Sequence, residues 1–327
     1  MKKNKKLKAL KAPFYYFGGK ANVATRIWQR LGAVNNYVEP FFGSGAILLA
    51  APKPAPVETV NDIDGLICNF WRSVQADPEA VARYTERPTF ENDFHAWHAW
   101  LLGQRNVLSA RLEGNPVFYD TEVAGLWVWG ACLWIGSGWC AGDGPWQQID
   151  GLLVNVEDSP EPGIRRARPQ LGVGERGLLS CPLPSRIEWL QALAKRLGQV
   201  RVCCGDWDRV LGKVPTTEHG LTAVVLDPPY SGEVRLKSLY AKDDPFVAEK
   251  VRTWALKHGD NPLFRIVLCG YEGEHDMPSN WECIEWKTSG GYGNQGKGRG
   301  RANAKLERLW FSPHCIDPTT TIFSAIT

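Results

Sequence analysis

The chain has no C-x-x-C pair. Its nine cysteines are an odd number, and two of them, Cys203 and Cys204, are adjacent. That arrangement speaks against a disulfide framework and a zinc ribbon; it leaves reduced thiols, mostly small core residues, in a cytoplasmic protein. Long apolar runs are missing too. The basic start "MKKNKKLKALK" lacks the apolar stretch a secretory signal needs, and no later segment is long and apolar enough to span a bilayer. No internal repeat is found. Net charge is only +3, so overall charge selects no partner. The basic residues bunch instead, in the N-terminal stretch, in "RRAR" and in "KGRGRANAK".

What is present fits a globular protein of 327 residues, one large domain or one domain carrying an insertion. "PFYYFGGKANVATRIWQRL" predicts a Gly turn opening a helix with Val23, Ile27 and Leu31 on one face. "NNYVEPFFGSGAILLA" predicts strand, Gly-bearing turn and helix start, and "APVETVNDIDGLICNFWRSV" repeats that order with Ile67, Phe70 and Val74 inward. From about Trp71 to Gly198 the rhythm changes to Trp-rich apolar helices and the loop-like "GIRRARPQLGVGERG". Strand and helix then alternate again through "QVRVCC", "LTAVVL", "DPFVAEKVRTWALKH", "FRIVLCG", "WECIEWK" and "ERLWFSP". Such alternation implies an α/β fold with a mostly parallel sheet, interrupted by a mostly helical insertion.

Four strand ends carry candidate chemistry. In "EPFFGSG", glycines let the backbone pass close to a ligand and the next helix offers free N–H groups, although an ordinary glycine turn has the same look. Leu48 stands where a dinucleotide fingerprint wants its third glycine, so a nicotinamide cofactor is disfavoured. Glu39 suits a cationic or hydroxylic ligand group. Asp62 and Asp64 end the next strand, where an acid bonds ribose hydroxyls, or simply caps a helix. Asp206 beside Trp207 suits an adenine, with capping again the alternative.

The fourth end is "LTAVVLDPPYSGEVR". Proline cannot donate to a sheet ladder and restricts the residue before it, so the strand must stop at Asp227. Asp227 and the Pro228 carbonyl then present two acceptors that match the hydrogens of an exocyclic amine, and Tyr230 offers a ring to stack on its base, although a proline turn with a chance acid and aromatic has the same look. Drawing those hydrogens away makes the nitrogen more tetrahedral and able to attack an activated methyl in line.

Taken in order, "YFGGK", "EPFFGSG", "NDID", "GDW" and "DPPY" resemble a DNA adenine-N6 methyltransferase of the Dam-like (D12) class. The resemblance covers about Pro13 to Trp71 and Gln199 to Cys315. It implies a Rossmann-like, S-adenosylmethionine-dependent catalytic domain (13–71 and 199–315), an inserted helical target-recognition domain (72–198), a basic tail (1–12) and a C-terminal tail (316–327). It implies methyl transfer to N6 of a flipped-out adenine in double-stranded DNA, with another exocyclic amine or a catalytically silent DNA-binding protein as alternatives. The catalytic turn would be Asp227, Pro228, Pro229 and Tyr230. S-adenosylmethionine would meet Tyr16, Phe17, Gly18, Gly19, Lys20, Glu39, Pro40, Phe41, Gly43, Gly45, Asp62, Asp206, Trp207 and Asp227. No metal and no membrane are expected; a monomer or weak dimer in a bacterial host cytoplasm is, as a solitary or phage-type modification enzyme.

Three further features are weighed. The late Gly-rich loop offers Lys297, Arg299, Arg301 and Lys305 to a phosphate backbone, as Arg165, Arg166 and Arg168 also do, though either stretch could be a solvated face. Helical Trp residues are expected in the core; Trp139 and Trp146, in the loop-like "SGWCAGDGPW", are the better candidates for nucleic acid. His95 and His98 lack a third ligand and are read as structural.

Overall fold

In the computed structural model, residues 10–16, 18–87, 91–115, 117–133, 139–140, 146–149, 152–155, 177–230, 246–286 and 306–318 are described. Helix α1 (Ala24–Leu31) buries Ile27, Trp28 and Leu31, with Val23 buried just ahead of it, the i, i+4, i+8 face read from the sequence. Strand β1 (Asn36–Glu39) leads to a one-turn helix α2 (Ala46–Leu49). Pro52, Pro54 and Pro56 follow it closely, so the helix begun there cannot continue.

Strand β2 (Val57–Asp62) is followed by α3 (Gly65–Ala76), α4 (Pro78–Tyr84), α5 (Glu91–Gly114) and α6 (Thr121–Leu133). Asp77 caps α4 by accepting from the Ala80 N–H at 3.0 Å, and Pro78 sits at its first turn. A hairpin of β3 (Trp146–Ile149) and β4 (Leu152–Asn155) lies in the segment expected to be helix and loop. Then come α7 (Leu183–Leu197), β5 (Val200–Cys204), β6 (Thr222–Leu226), α8 (Val247–His258), β7 (Phe264–Tyr271), β8 (Glu282–Glu285) and β9 (Glu307–Phe311).

The main sheet has the order β5-β2-β1-β6-β7-β9-β8. Its first five strands are parallel, and β9 pairs antiparallel with both β7 and β8. This is the mixed α/β, mostly parallel architecture the sequence predicts. Period-two alternation explains its two apolar layers. In β6, Ala223 and Val225 face the cluster holding α1 and α3, whereas Val224 and Leu226 face the one holding α8. Each fully buried valine or leucine among them contributes about 1.5–3 kcal/mol.

The helical segment shares the first of these cores. Phe14 meets Trp127 edge-on with ring centroids 4.9 Å apart, and Phe70 packs on the same indole at 5.7 Å. Asn69 and Asp120 exchange two 2.8 Å hydrogen bonds that tie the start of α6 to α3. Helix α7 packs against α3 and α4, and its Arg196 forms a two-pronged ion pair with Glu58 of β2 at 2.6 and 2.8 Å. Trp127 and Trp129 are buried, as expected of helical tryptophans. Trp139 is packed inward as well, stacked on His98 and donating its indole N–H to the Trp127 carbonyl at 3.0 Å. That partner leaves it a poorer candidate for nucleic acid than its loop-like sequence suggested.

Candidate active site

The chain leaves β1 for β2 on one side of the sheet and later returns to β6 on the other. The carboxyl ends of the adjacent strands β1 and β6 therefore flank the point where strand order reverses, the place where open α/β sheets form a crevice. A cleft lies there, with an empty volume of about 1020 Å³ when its open mouth is included. All four acid-bearing strand ends reach it, through Glu39, Asp62, Asp206 and Asp227.

The turn after β1 is fastened from three directions. Gly43 donates its N–H to Asp62 Oδ2 at 2.9 Å, and its carbonyl accepts from Trp71 Nε1 at 2.9 Å. Asn61 Nδ2 donates to the Pro40 and Gly205 carbonyls at 3.1 and 3.0 Å, tying three loops together. Gly43 has φ +48°, and a Cβ there would sit 2.7 Å from the Tyr16 ring. Glycine is thus required both by the backbone and by the close approach of Tyr16.

Two acids of this half carry no basic partner among the described residues. Glu39 is buried and accepts the Tyr37 hydroxyl at 2.7 Å. Burial pushes it up to about 8, opposed by that hydrogen bond and reinforced by the charge of Asp227. Asp62 also accepts from the Asp64 N–H at 3.0 Å; burial raises it to about 7 although this bond and the Gly43 N–H hold it down. Asp64 caps α3 through the Leu66 N–H at 2.9 Å and pairs with Arg105 of α5 at 3.5 Å.

The β6 end is built differently. Lys20, 2% exposed, grips both Asp227 oxygens at 2.8 and 2.9 Å and reaches the Gly18 carbonyl at 2.7 Å and the Tyr230 oxygen at 2.8 Å. Burial alone would drive Lys20 down, but the charges of Asp227 and Glu307 outweigh it and leave its ammonium well above the usual lysine range. Tyr230 donates to Glu307 Oε2 at 2.9 Å and lies 3.2 Å from Asp227 Oδ1. Burial, then the negative charges beside it, raise the Tyr230 phenol. Burial likewise raises Glu307, with Lys20 pulling the other way.

The placement of the expected residues can now be stated. Tyr16, Gly18, Gly19, Lys20, Glu39, Pro40, Phe41, Gly43, Asp62, Asp206, Trp207, Asp227 and Pro229 line the cleft. Gly45 lies outside the lining: a Cβ on it would meet the Phe42 ring at 2.7 Å, so it serves packing of the turn. Pro228 and Tyr230 are also outside the lining and buried, with the Tyr230 hydroxyl turned inward and its ring edge-on to Tyr271 at 4.5 Å. Asp206 is both a cap, accepting from the Trp207 N–H at 2.7 Å, and a cleft residue. Phe17 and the basic candidates Arg165, Arg166, Arg168, Lys297, Arg299, Arg301 and Lys305 lie outside the described residues.

Asn61, Ile63, Ser44 and Val247 line the cleft, and Glu307 and Arg105 sit behind it, with no motif announcing them. Among the described residues no cluster of three metal-ligating side chains occurs, and no helix is long and apolar enough to cross a membrane.

Residues 16–96 match the family described as D12 class N6 adenine-specific DNA methyltransferase. The match bears out the resemblance read from the sequence, and it spans the glycine turn, Glu39 and Asp62. No curated protein matches the chain.

Proposed function

We propose that the protein transfers a methyl group from S-adenosylmethionine to N6 of an adenine flipped out of duplex DNA. One observation carries this reading: Asp227, pinned by Lys20, opens onto the same cleft as the cation-seeking Glu39 and the ribose-height Asp62. A methyl carrier and an amino group held at those two places are neighbours.

The residues fit the cofactor by their chemistry. Glu39 gains by ionising against a cation, Asp62 and Asp64 stand where ribose hydroxyls need acceptors, and Phe41 and Trp207, stacked 6.2 Å apart, offer apolar rings beside Asp206 for an adenine. Bound there, the cofactor supplies a methyl activated by its sulfonium. The chain's own part is positioning. Asp227 and the Pro228 carbonyl would take the two amine hydrogens and free the nitrogen lone pair; the methyl's bond to sulfur would break as its bond to nitrogen forms, leaving a neutral thioether, and the surplus N–H proton would pass toward Asp227. Holding both reactants aligned accounts for up to roughly 7–11 kcal/mol of barrier.

A paired adenine has one amine hydrogen committed to thymine and its ring held in the stack, so the base must leave the duplex to offer both hydrogens. We assign residues 72–198 to reading the target, and Arg165, Arg166, Arg168, Lys297, Arg299, Arg301 and Lys305 to the phosphate backbone. The decisive experiment is tritiated-methyl transfer to unmethylated duplex DNA followed by base analysis. Label in N6-methyladenine is expected; label only in cytosine or only in RNA overturns the assignment of the base, and DNA binding without any label overturns the enzyme.

A further inference from the structure

Tyr230 has one hydroxyl hydrogen and two carboxylates within reach of it. Glu307 Oε2 is 2.9 Å away and Asp227 Oδ1 3.2 Å away. Lys20 settles the other side of that oxygen. An ammonium has three N–H donors, and the acceptors around Lys20 are the Gly18 carbonyl, the Asp227 carboxylate and the Tyr230 oxygen. The Tyr230 oxygen is therefore an acceptor toward Lys20, and its hydrogen must go to one acid or the other.

Glu307 opens β9 and is 5% exposed. An unsatisfied buried carboxylate oxygen is expensive, so the Tyr230 hydrogen is worth more to Glu307 than to Asp227, which keeps a fifth of its side chain (21%) exposed and already holds Lys20. The shorter distance agrees. We propose that Glu307 is a positioning residue that keeps the Tyr230 hydrogen off Asp227, so that the Asp227 carboxylate stays free to accept the hydrogens of the substrate amine. This rests on the reading of Asp227 given above. Without Glu307 the hydroxyl has one charged acceptor left, and turning to it would occupy Asp227 Oδ1.

The test is a double-mutant cycle on the full chain with unmethylated duplex DNA. Glu307→Gln keeps the shape and removes the charge. It is expected to lower kcat ten-fold or more, with KM for DNA and the calorimetric cofactor Kd unchanged. In a Tyr230→Phe background no hydrogen remains to misdirect, so adding Glu307→Gln should change kcat less than two-fold. Unchanged kcat in the single variant, or the same loss repeated in the Phe background, overturns the proposal. Glu307→Asp retracts the charge by one carbon and serves if the amide variant does not fold; the same dependence on Tyr230 is expected, and its absence has the same meaning. Full turnover by Asp227→Ala would instead remove the reading of Asp227, and this inference with it.

Discussion

The two halves of the cleft treat their acids in opposite ways. Asp227 is met by a buried lysine at 2.8 Å, so its charge has a partner before any ligand arrives. Glu39 and Asp62 have backbone and hydroxyl donors but no cation among the described residues, and they are pushed up to about 8 and about 7. A preformed ion pair suits a neutral guest such as an amine, which brings hydrogens and no charge. A buried acid without a cation suits a guest that carries the missing positive charge. One half is preorganised; the other is completed by what binds it.

The severest way to break the preorganised half is to remove its acceptor. Asp227→Ala is expected to cut methyl transfer at least a hundred-fold, the scale on which a single well-placed electrostatic contact acts. Lys20 then remains near Glu307, so circular dichroism and cofactor binding should still report a folded protein. Turnover near that of the parent would end the assignment. Lys20→Met attacks the same half from behind, leaving Asp227 and Glu307 as neighbouring like charges. We expect a loss of about 3 kcal/mol in stability, the low end for breaking a buried pair because Asp227 is partly wet. Urea denaturation of the purified variant reads it directly, and a change under 1 kcal/mol contradicts it.

The other half should respond to pH. A carboxyl group whose folded value lies above its ordinary one contributes stability that is complete below the ordinary value and is lost as pH rises through the folded value. For Glu39 that window runs from 4.5 to about 8, and for Asp62 from 3.8 to about 7. The ligand-free protein should therefore melt at lower temperature at pH 8.5 than at pH 6. A cationic ligand favours the ionised acids, so S-adenosylmethionine affinity should rise over the same interval, with protons released on binding near pH 7. Calorimetry in two buffers of different ionisation enthalpy measures that release. Glu39→Gln should flatten both trends, and pH-independent affinity in the parent would show that no cation sits against Glu39.

This contrast was only half legible in the sequence. Strand ends announce themselves, because an apolar run closing on Asp227-Pro228-Pro229 or on the Glu39 turn has local causes in proline and glycine chemistry. The sheet and its acids could therefore be placed from the chain alone. Partnership is another matter. Lys20 and Asp227 are 207 residues apart, and Glu307 meets Tyr230 across 77. Nothing local marks Glu307 as more than the first residue of a strand. The β3–β4 hairpin escaped for a related reason, since two four-residue strands are too short to show a period.

The gentlest probe lies where the helical segment touches the cation-seeking half. Arg105 of α5 holds Asp64 at 3.5 Å, both largely buried, and a Cβ on Gly65 would stand 2.6 Å from Ser109 Oγ of the same helix. A displacement of α5 would therefore press on the turn that carries Asp62 and Asp64. At 3.5 Å the pair is longer than the roughly 2.7–2.9 Å of a close charge-assisted hydrogen bond, so its direct effect on the cleft should be modest. Arg105→Ala is accordingly expected to weaken cofactor binding by two- to five-fold while leaving the transfer rate at saturating cofactor unchanged, because Asp227 and Lys20 do not depend on it. A drop in the saturated rate with normal affinity would reverse the comparison, since it would mean that the helical segment acts on the preorganised half instead.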